Sequence, residues 1–368
     1  MKKLQIWAVG LSVCASAVLV ACGGGGAGDQ TPRVTYGKMV IFGDSLSDVG
    51  TYEVSGVAAA GGGKFTVNGD GAQIWVERLA TQLGVPAPCA AQTGINAVQA
   101  VVGFPPVPAV NNAGCFDYAQ GGARVTNPIG PGNIALFNPL DPSTYSNALG
   151  LLTVPVVTQI ANHLAATGGS FASDDLVTVL AGANDVLFNL SVFAATVAAG
   201  GNSSAAATAA VTAVTQAAAE LAGYLQTEVI SNGAQRVVVV NVPDISKTPF
   251  GLSQTTAAQG LLVQMVTAFN TTLASSLTSV PQVLIVDAYT TSQDQAANPG
   301  QYALTNVTTP ACDLANMPLP TSLVCTASTL ISGDTSFYEY ADTVHPTPYG
   351  YRLLAQLVTN DMAIKGWL

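Results

Sequence analysis

The chain has 368 residues, 49% of them hydrophobic and only 9% charged, with a mean hydropathy of +0.41; ordinary soluble domains carry about a quarter charged residues. Lys and Arg number 11 against 21 Asp and Glu, a net charge of −10, which argues against nucleic acid or other polyanions as partners because these need basic patches. High hydropathy argues against disorder and raises a membrane reading, while only two histidines, His163 and His345, are available for acid–base chemistry.

The first residues address the membrane question. Met1-Lys2-Lys3 is a short basic start, followed by the apolar run Leu4 to Leu19 and then Val20-Ala21-Cys22. Basic start, apolar stretch and small residue before a cut describe a removable secretory signal over 1–21. Leu19-Val20-Ala21-Cys22 resembles a bacterial lipobox, in which Cys22 is lipidated; the alternative is an ordinary signal peptide with a coincidental cysteine. The glycine-rich segment that follows, within 22–35, suits a tether behind an anchored cysteine. Gly at residue 23, in place of Asp, implies the outer membrane of a Gram-negative cell as destination, with secretion as the alternative. Loss of Lys2 and Lys3 with the signal takes the formal charge from −10 to −12. No later segment reaches the roughly 18 apolar residues of a spanning helix, and the nearest, Val192 to Val214, is broken by Gly200-Gly201-Asn202-Ser203-Ser204.

Strands and helices then alternate. Lys38 to Phe42 reads as a buried strand ending in Gly43, and Gln73 to Leu83 has helical spacing, as does Val154 to Ala166. Leu176 to Leu180 is a strand before Ala181-Gly182. Ser203 to Ile230 is a long helix of small residues ended by Asn232-Gly233. Arg236 to Val240 is an almost wholly β-branched central strand. Ala257 to Leu277 is helical, Val283 to Val286 a strand, and Pro348 to Ile364 a last helix. Short apolar strands between helices predict a parallel sheet covered on both faces, a three-layer α/β/α sandwich, as one domain over 36–368. The Gly- and Pro-rich stretches 102–114 and 127–147 read as surface loops.

Cysteine usage agrees with export. Beyond Cys14 and Cys22 the chain has Cys89, Cys115, Cys312 and Cys325, an even set that suggests two disulfides. Three pairings are open; the local one, Cys89–Cys115 with Cys312–Cys325, is simplest, and closing the shorter loop is worth roughly 3 kcal/mol in the chain-entropy model. A metal site is disfavoured, since no C-x-x-C pair and no nearby histidine accompany them.

Ligand sites in such folds lie beyond the C-terminal strand ends, and the chemistry-bearing motifs fall there. The first strand runs into Gly43-Asp44-Ser45-Leu46, a serine expected between a strand and a helix N-terminus; alone, the triplet is also common loop or capping chemistry. Asp117-Tyr118-Ala119-Gln120-Gly121-Gly122 offers paired glycines for close backbone approach or merely a tight turn. Gly182-Ala183-Asn184-Asp185 offers an amide for a developing oxyanion, or a turn or cap. Asp342-Thr343-Val344-His345 sets a carboxylate where it can accept the imidazole Nδ1–H and leave Nε2 as base; a surface loop pair is the alternative. A serine nucleophile needs a base. His163 lies mid-helix with no acid nearby in sequence and reads as a partly exposed structural residue, so His345 is the candidate. The G-x-S-x-G elbow of α/β-hydrolases is absent after residue 21.

In this order the motifs strongly resemble the GDSL or SGNH family of serine esterases and lipases, over about 36–363. The resemblance implies a flavodoxin-like parallel sheet of about five strands, Ser45 as nucleophile, and Asp342 and His345 as acid and base. It implies Ser45 N–H, Gly122 N–H and the Asn184 amide as oxyanion donors, with no metal or organic cofactor. Asn241-Val242-Pro243-Asp244, Thr248-Pro249 and Phe269-Asn270 are secondary resemblances. Two departures are Asp117 where the second block carries Asn, and Pro346-Thr347-Pro348-Tyr349-Gly350-Tyr351 where relatives read HPT followed by GH. The expected activity is ester hydrolysis through an acyl-enzyme. An acyltransferase on the same residues and an inactive surface-binding lipoprotein are the alternatives. Weakly charged stretches at 51–70, 102–114, 127–147 and 288–335 are expected to shape a pocket for acyl or other neutral esters; no obligate protein partner is evident.

Overall fold

A computed structural model of the chain describes residues 34–317 and 319–368; Cys22, the signal segment and most of the proposed tether lie outside them. The described strands are β1 (Lys38–Gly43), β2 (Gln92–Ile95), β3 (Val107–Asn111), β4 (Asp175–Leu180), β5 (Arg236–Val240) and β6 (Val283–Val286). β1, β4, β5 and β6 form one parallel sheet in the order β1-β4-β5-β6, with Met39 opposite Leu176 and Val177 opposite Val237. A fifth position at the β1 edge is held by a single parallel bridge between Ile41 and Asp117, where Ile41 N donates to Phe116 O and Tyr118 N to Ile41 O.

Side chains alternate across a strand, and both faces here are apolar. Val40, Phe42, Val177, Val179, Val237 and Val239 pack on helices α2 (Val156–Thr167), α4 (Ser203–Tyr224) and α5 (Thr256–Leu277), with α3 (Ala183–Ala198) beside them. Met39, Ile41, Leu176, Leu180, Val238 and Val240 face the other way, onto α1 (Trp75–Leu83), α6 (Ala288–Ala297) and α7 (Pro348–Lys365). The result is a three-layer α/β/α fold. Small residues on α4, among them Ala210, Ala217, Ala218 and Ala222, are buried and let it lie close to its neighbours. Side-chain caps start the long helices: Asn202 accepts from Ala205 N, Thr255 from Ala258 N, and Thr347 from Tyr349 N and Gly350 N.

Three elements depart from the sequence expectations. Helix α3 follows β4 directly; its apolar residues are spread around the helix and Gly182 supplies no side-chain cap, so neither period nor punctuation announces it. The stretch 102–114, expected as loop, contains β3 in an antiparallel hairpin with β2; four of its five residues are exposed, so it lacks a buried face. α6 opens the 288–335 stretch. The helix expected over 203–230 is continuous but ends in a π-helical turn, Leu225–Ile230. Above the sheet, the long loops share a separate core around Tyr52, Phe65, Ile95, Leu151, Leu323 and Ala341. The Cys89–Cys115 and Cys312–Cys325 disulfides both form, the local pairing. Among the described residues no helix is long and apolar enough to cross a membrane.

Candidate active site

The turn that carries Ser45 is built where β1 ends. Gly43 has φ +147°, and a Cβ there would meet Leu180 O at 2.2 Å, so only glycine fits beside β4. Asp44 N donates to Leu180 O and Leu46 N to Asp44 Oδ1, closing a tight turn around Ser45. No helix follows at once, contrary to expectation: the next helical residues are Ser55–Ala59. Asp48 explains the alternative, since its Oδ1 accepts from Gly50 N and Thr51 N and its Oδ2 from Gly121 N. Asp117 ties the same loops in reverse, accepting from Val49 N and Ala119 N.

Asp342 and His345 reach the turn from the loop before α7. His345 Nε2 lies 2.8 Å from Ser45 Oγ, and its Nδ1 lies 2.7 Å from Asp342 Oδ2. Asp342 Oδ1 accepts from Val344 N and His345 N, so three-residue spacing lets one carboxylate hold both ring and backbone. Ser322 donates its hydroxyl and its N–H to Asp342 Oδ2. Burial alone would raise the Asp342 pKa, but the adjacent imidazole and these donors hold it well below the usual carboxylate range. The Phe65 ring lies 4.8 Å from the imidazole and covers it.

Gly122 and Asn184 line the same cavity as Ser45. Gly122 has φ +77°, and a Cβ there would meet Pro131 O at 2.2 Å. Among the described residues neither its N–H nor that of Ser45 has an acceptor. Asn184 Nδ2 donates one hydrogen to Ala123 O at 2.9 Å, which aims the amide and leaves the second hydrogen for a ligand. The neighbouring Asp185 fixes the two segments together: it pairs with Arg124 Nε at 2.9 Å and accepts from Val125 N. Burial raises the Asp185 carboxyl, with Arg124 opposing. Of the five residues expected at the site, Ser45, Gly122, Asn184 and His345 thus line one cavity, and Asp342 stands behind it, bonded to His345.

That cavity has a volume of about 1130 Å³. Its walls come partly from stretches expected to shape it, through Phe65, Val102, Leu136, Tyr145 and Gln295, and partly from α3 and the segment after β5, through Leu187, Phe188, Ile245 and Phe250. Buried carboxyls crowd this end of the sheet. Burial pushes Asp44 up to about 7 and Asp48 up to about 6, and carries Asp117 well above the ordinary range. Among the described residues no group of three or more His, Cys, Asp or Glu is arranged to hold a metal.

Other residues of the site escaped the sequence reading. Gln159 hydrogen-bonds both polar backbone atoms of Gly43; its signal was a polar residue on the stripe Val156, Ile160 and His163 that α2 buries. Ser322 had no signal at all. His163 corrects an expectation: it is fully buried rather than partly exposed, stacked on Phe171 at 4.4 Å and edge-on to Phe42 and Tyr118. Asn270 and Asn241, in the secondary motifs, are framework residues; Asn270 brackets Val242 N and O, and Asn241 links to Asp287 and Tyr289 N.

Comparison with known proteins adds a family. The chain is similar to the lipase Lip_vut3 from a goat rumen metagenome, at 13% identity and TM-score 0.37, covering 90% of this chain and 98% of that one. It is also similar to a catalytic mutant of an acetylxylan esterase from Geobacillus stearothermophilus, at 14% identity and TM-score 0.39, covering 90% of this chain and 96% of that one. No curated protein matches it. Residues 39–358 match the family model described as GDSL-like Lipase/Acylhydrolase, a span that takes in the sheet from the second residue of β1 onward and all five residues of the site, and the chain belongs to that family.

Proposed function

We propose that the protein hydrolyses carboxylic esters through an acyl-enzyme on Ser45. The observation that carries this reading is the unbroken hydrogen-bonded chain from Ser45 Oγ through His345 to Asp342 at the wall of a large, mostly apolar cavity. His345 Nε2 takes the hydroxyl proton as Ser45 Oγ bonds to the ester carbonyl carbon, and Asp342 stabilises the imidazolium. The carbonyl oxygen becomes an oxyanion facing Ser45 N–H, Gly122 N–H and Asn184 Nδ2. His345 returns the proton to the leaving alkoxide as the ester C–O bond breaks. Water, deprotonated by His345, then attacks the acyl carbon; the acid leaves and Ser45 regains its proton. Every group needed is a side chain or peptide N–H of this chain.

The apolar walls support esters with uncharged acyl groups as substrates. The even cysteine set and the Leu19-Val20-Ala21-Cys22 run support an exported lipoprotein anchored through Cys22. The test of the core reading is turnover of p-nitrophenyl butyrate and covalent labelling by a fluorophosphonate, with both lost in Ser45→Ala. Full activity in that variant would overturn it.

A further inference from the structure

The cavity lining includes polar side chains that acyl transfer does not use. Glu339 and Tyr340 stand just before Asp342, and Gln295 comes from α6; all three line the cavity. They are 8%, 8% and 9% exposed. Among the described residues none of their side-chain polar atoms has a protein hydrogen-bond partner, and of these atoms only Glu339 Oε2 is cut off from water. Buried polar side chains are normally satisfied. Here one carboxyl oxygen is orphaned, and two further groups without a protein partner line the same cavity, which leaves hydrogen-bonding capacity for a ligand.

Resting on the ester-hydrolase reading, we propose that Glu339, Tyr340 and Gln295 form a hydroxyl-binding subsite that selects esters whose alcohol carries free hydroxyl groups. The alcohol side follows from the position of the base. His345 must reach the leaving oxygen, and the 339–341 segment adjoins the His345 loop: Tyr340 bridges to Pro346, and Ala341 N donates to His345 O. The chemistry of the three groups selects hydroxyls. The amide of Gln295 and the phenol of Tyr340 each donate and accept, as an alcohol does. Burial pushes Glu339 up to about 7, so near neutrality much of it is a carboxylic acid that also donates and accepts. Among the described residues no cation pairs with Glu339, so an anionic headgroup finds no partner there.

The test holds the acyl group constant and varies the alcohol, comparing kcat/KM for glyceryl monobutyrate, propyl butyrate and butyrylcholine. Wild type is expected to favour the glyceryl over the propyl ester at least about tenfold, since a site built to pair hydroxyls rejects analogues that lack them. Glu339→Leu, Gln295→Leu and Tyr340→Phe are each expected to move the glyceryl-to-propyl ratio toward one, and Glu339→Gln to retain part of it. Tyr340→Phe removes a single oxygen and keeps the test open if a larger change prevents folding. An unchanged ratio in the variants, or no preference in wild type, overturns the proposal. So does a preference for butyrylcholine that Glu339→Leu abolishes, which would make this lining a cation site. The hydrolase reading is judged separately, on p-nitrophenyl butyrate with wild type and Ser45→Ala, and stands or falls whatever that ratio is.

Discussion

Gln159 grips Gly43 by both of its peptide polar atoms: Gly43 N donates to Gln159 Oε1 at 2.8 Å, and Gln159 Nε2 donates to Gly43 O at 2.8 Å. Nε2 also donates to Val154 O. One side chain from α2 therefore sets the backbone two residues before Ser45, at the point where β1 must turn out of the sheet. Gln159→Leu leaves Gly43 N buried and unpaired, at roughly 1–3 kcal/mol, while Gly43 O loses one donor and keeps Gln120 N. The variant should lose about 1–3 kcal/mol of stability and, because Ser45 is no longer held against His345, at least about tenfold in kcat with KM little changed. Urea unfolding and ester kinetics on the same preparations check both effects. Normal kcat in a destabilised variant would reduce Gln159 to a packing residue.

Asn184 is held for a different task. Its amide is aimed by a single bond to Ala123 O, on the loop that presents Gly122. Asn184→Ala should lower kcat by roughly 100- to 1,000-fold, the usual consequence of losing one oxyanion donor, with KM within a few fold. Arg124→Leu should act more weakly and indirectly, since it breaks the pair with Asp185 that locks the two segments together. Steady-state kinetics on p-nitrophenyl butyrate separates the two. Equal losses in kcat would place the effect of both variants in loop position.

Strands such as Arg236–Val240 were legible because a parallel sheet covered on both faces needs continuous β-branched runs, and no polar residue interrupts this one. The candidate site residues were legible for a related reason: they sit in short segments that begin at strand ends or lead into α7, so sequence spacing maps directly onto space. Asp342 and His345 are the clearest case, with one carboxylate bonding both the ring and the backbone three residues on. Gln159 was legible only as a polar residue on a buried stripe and Ser322 not at all, because their partners lie 116 and 20 residues away, beyond what local spacing records. The hairpin β2–β3 was hidden because exposure removes the alternation that marks a strand.

Ser322 also gives the Cys312–Cys325 bridge a consequence at the site. The bridge closes the loop that carries Ser322 against Asp342 Oδ2. Replacing both cysteines by Ser should remove roughly 3 kcal/mol of stability by the loop-entropy argument. It should also lower kcat in the same direction as Ser322→Ala, because both changes release Asp342 from a donor. Full kcat in the double variant would show that Ser322 is held in place by packing alone.

His163 predicts a pH signature of stability. Its ring is fully buried among Phe42, Phe116, Tyr118 and Phe171, and neither ring nitrogen has a hydrogen-bond partner among the described residues. Burial lowers its pKa to about 4, with Asp175 opposing, whereas an unfolded chain titrates histidine near 6.5. The unfolded state thus binds more protons between these values, so the contribution of His163 to stability is complete above about pH 6.5 and is lost as pH falls toward 4. The loss amounts to roughly 3 kcal/mol. Asp44 and Glu339 act in the opposite sense, since burial raises both to about 7 and their charged forms destabilise the fold as pH rises. The wild-type profile mixes these slopes, but a difference profile isolates one. His163→Phe keeps an aromatic ring in the box and removes the proton acceptor. The variant should gain stability relative to wild type progressively from pH 6.5 down to 4, and the difference should be flat above pH 7. Urea midpoints at half-unit pH steps read this directly, and a difference that does not change with pH would mean that the ring is solvated or paired in solution.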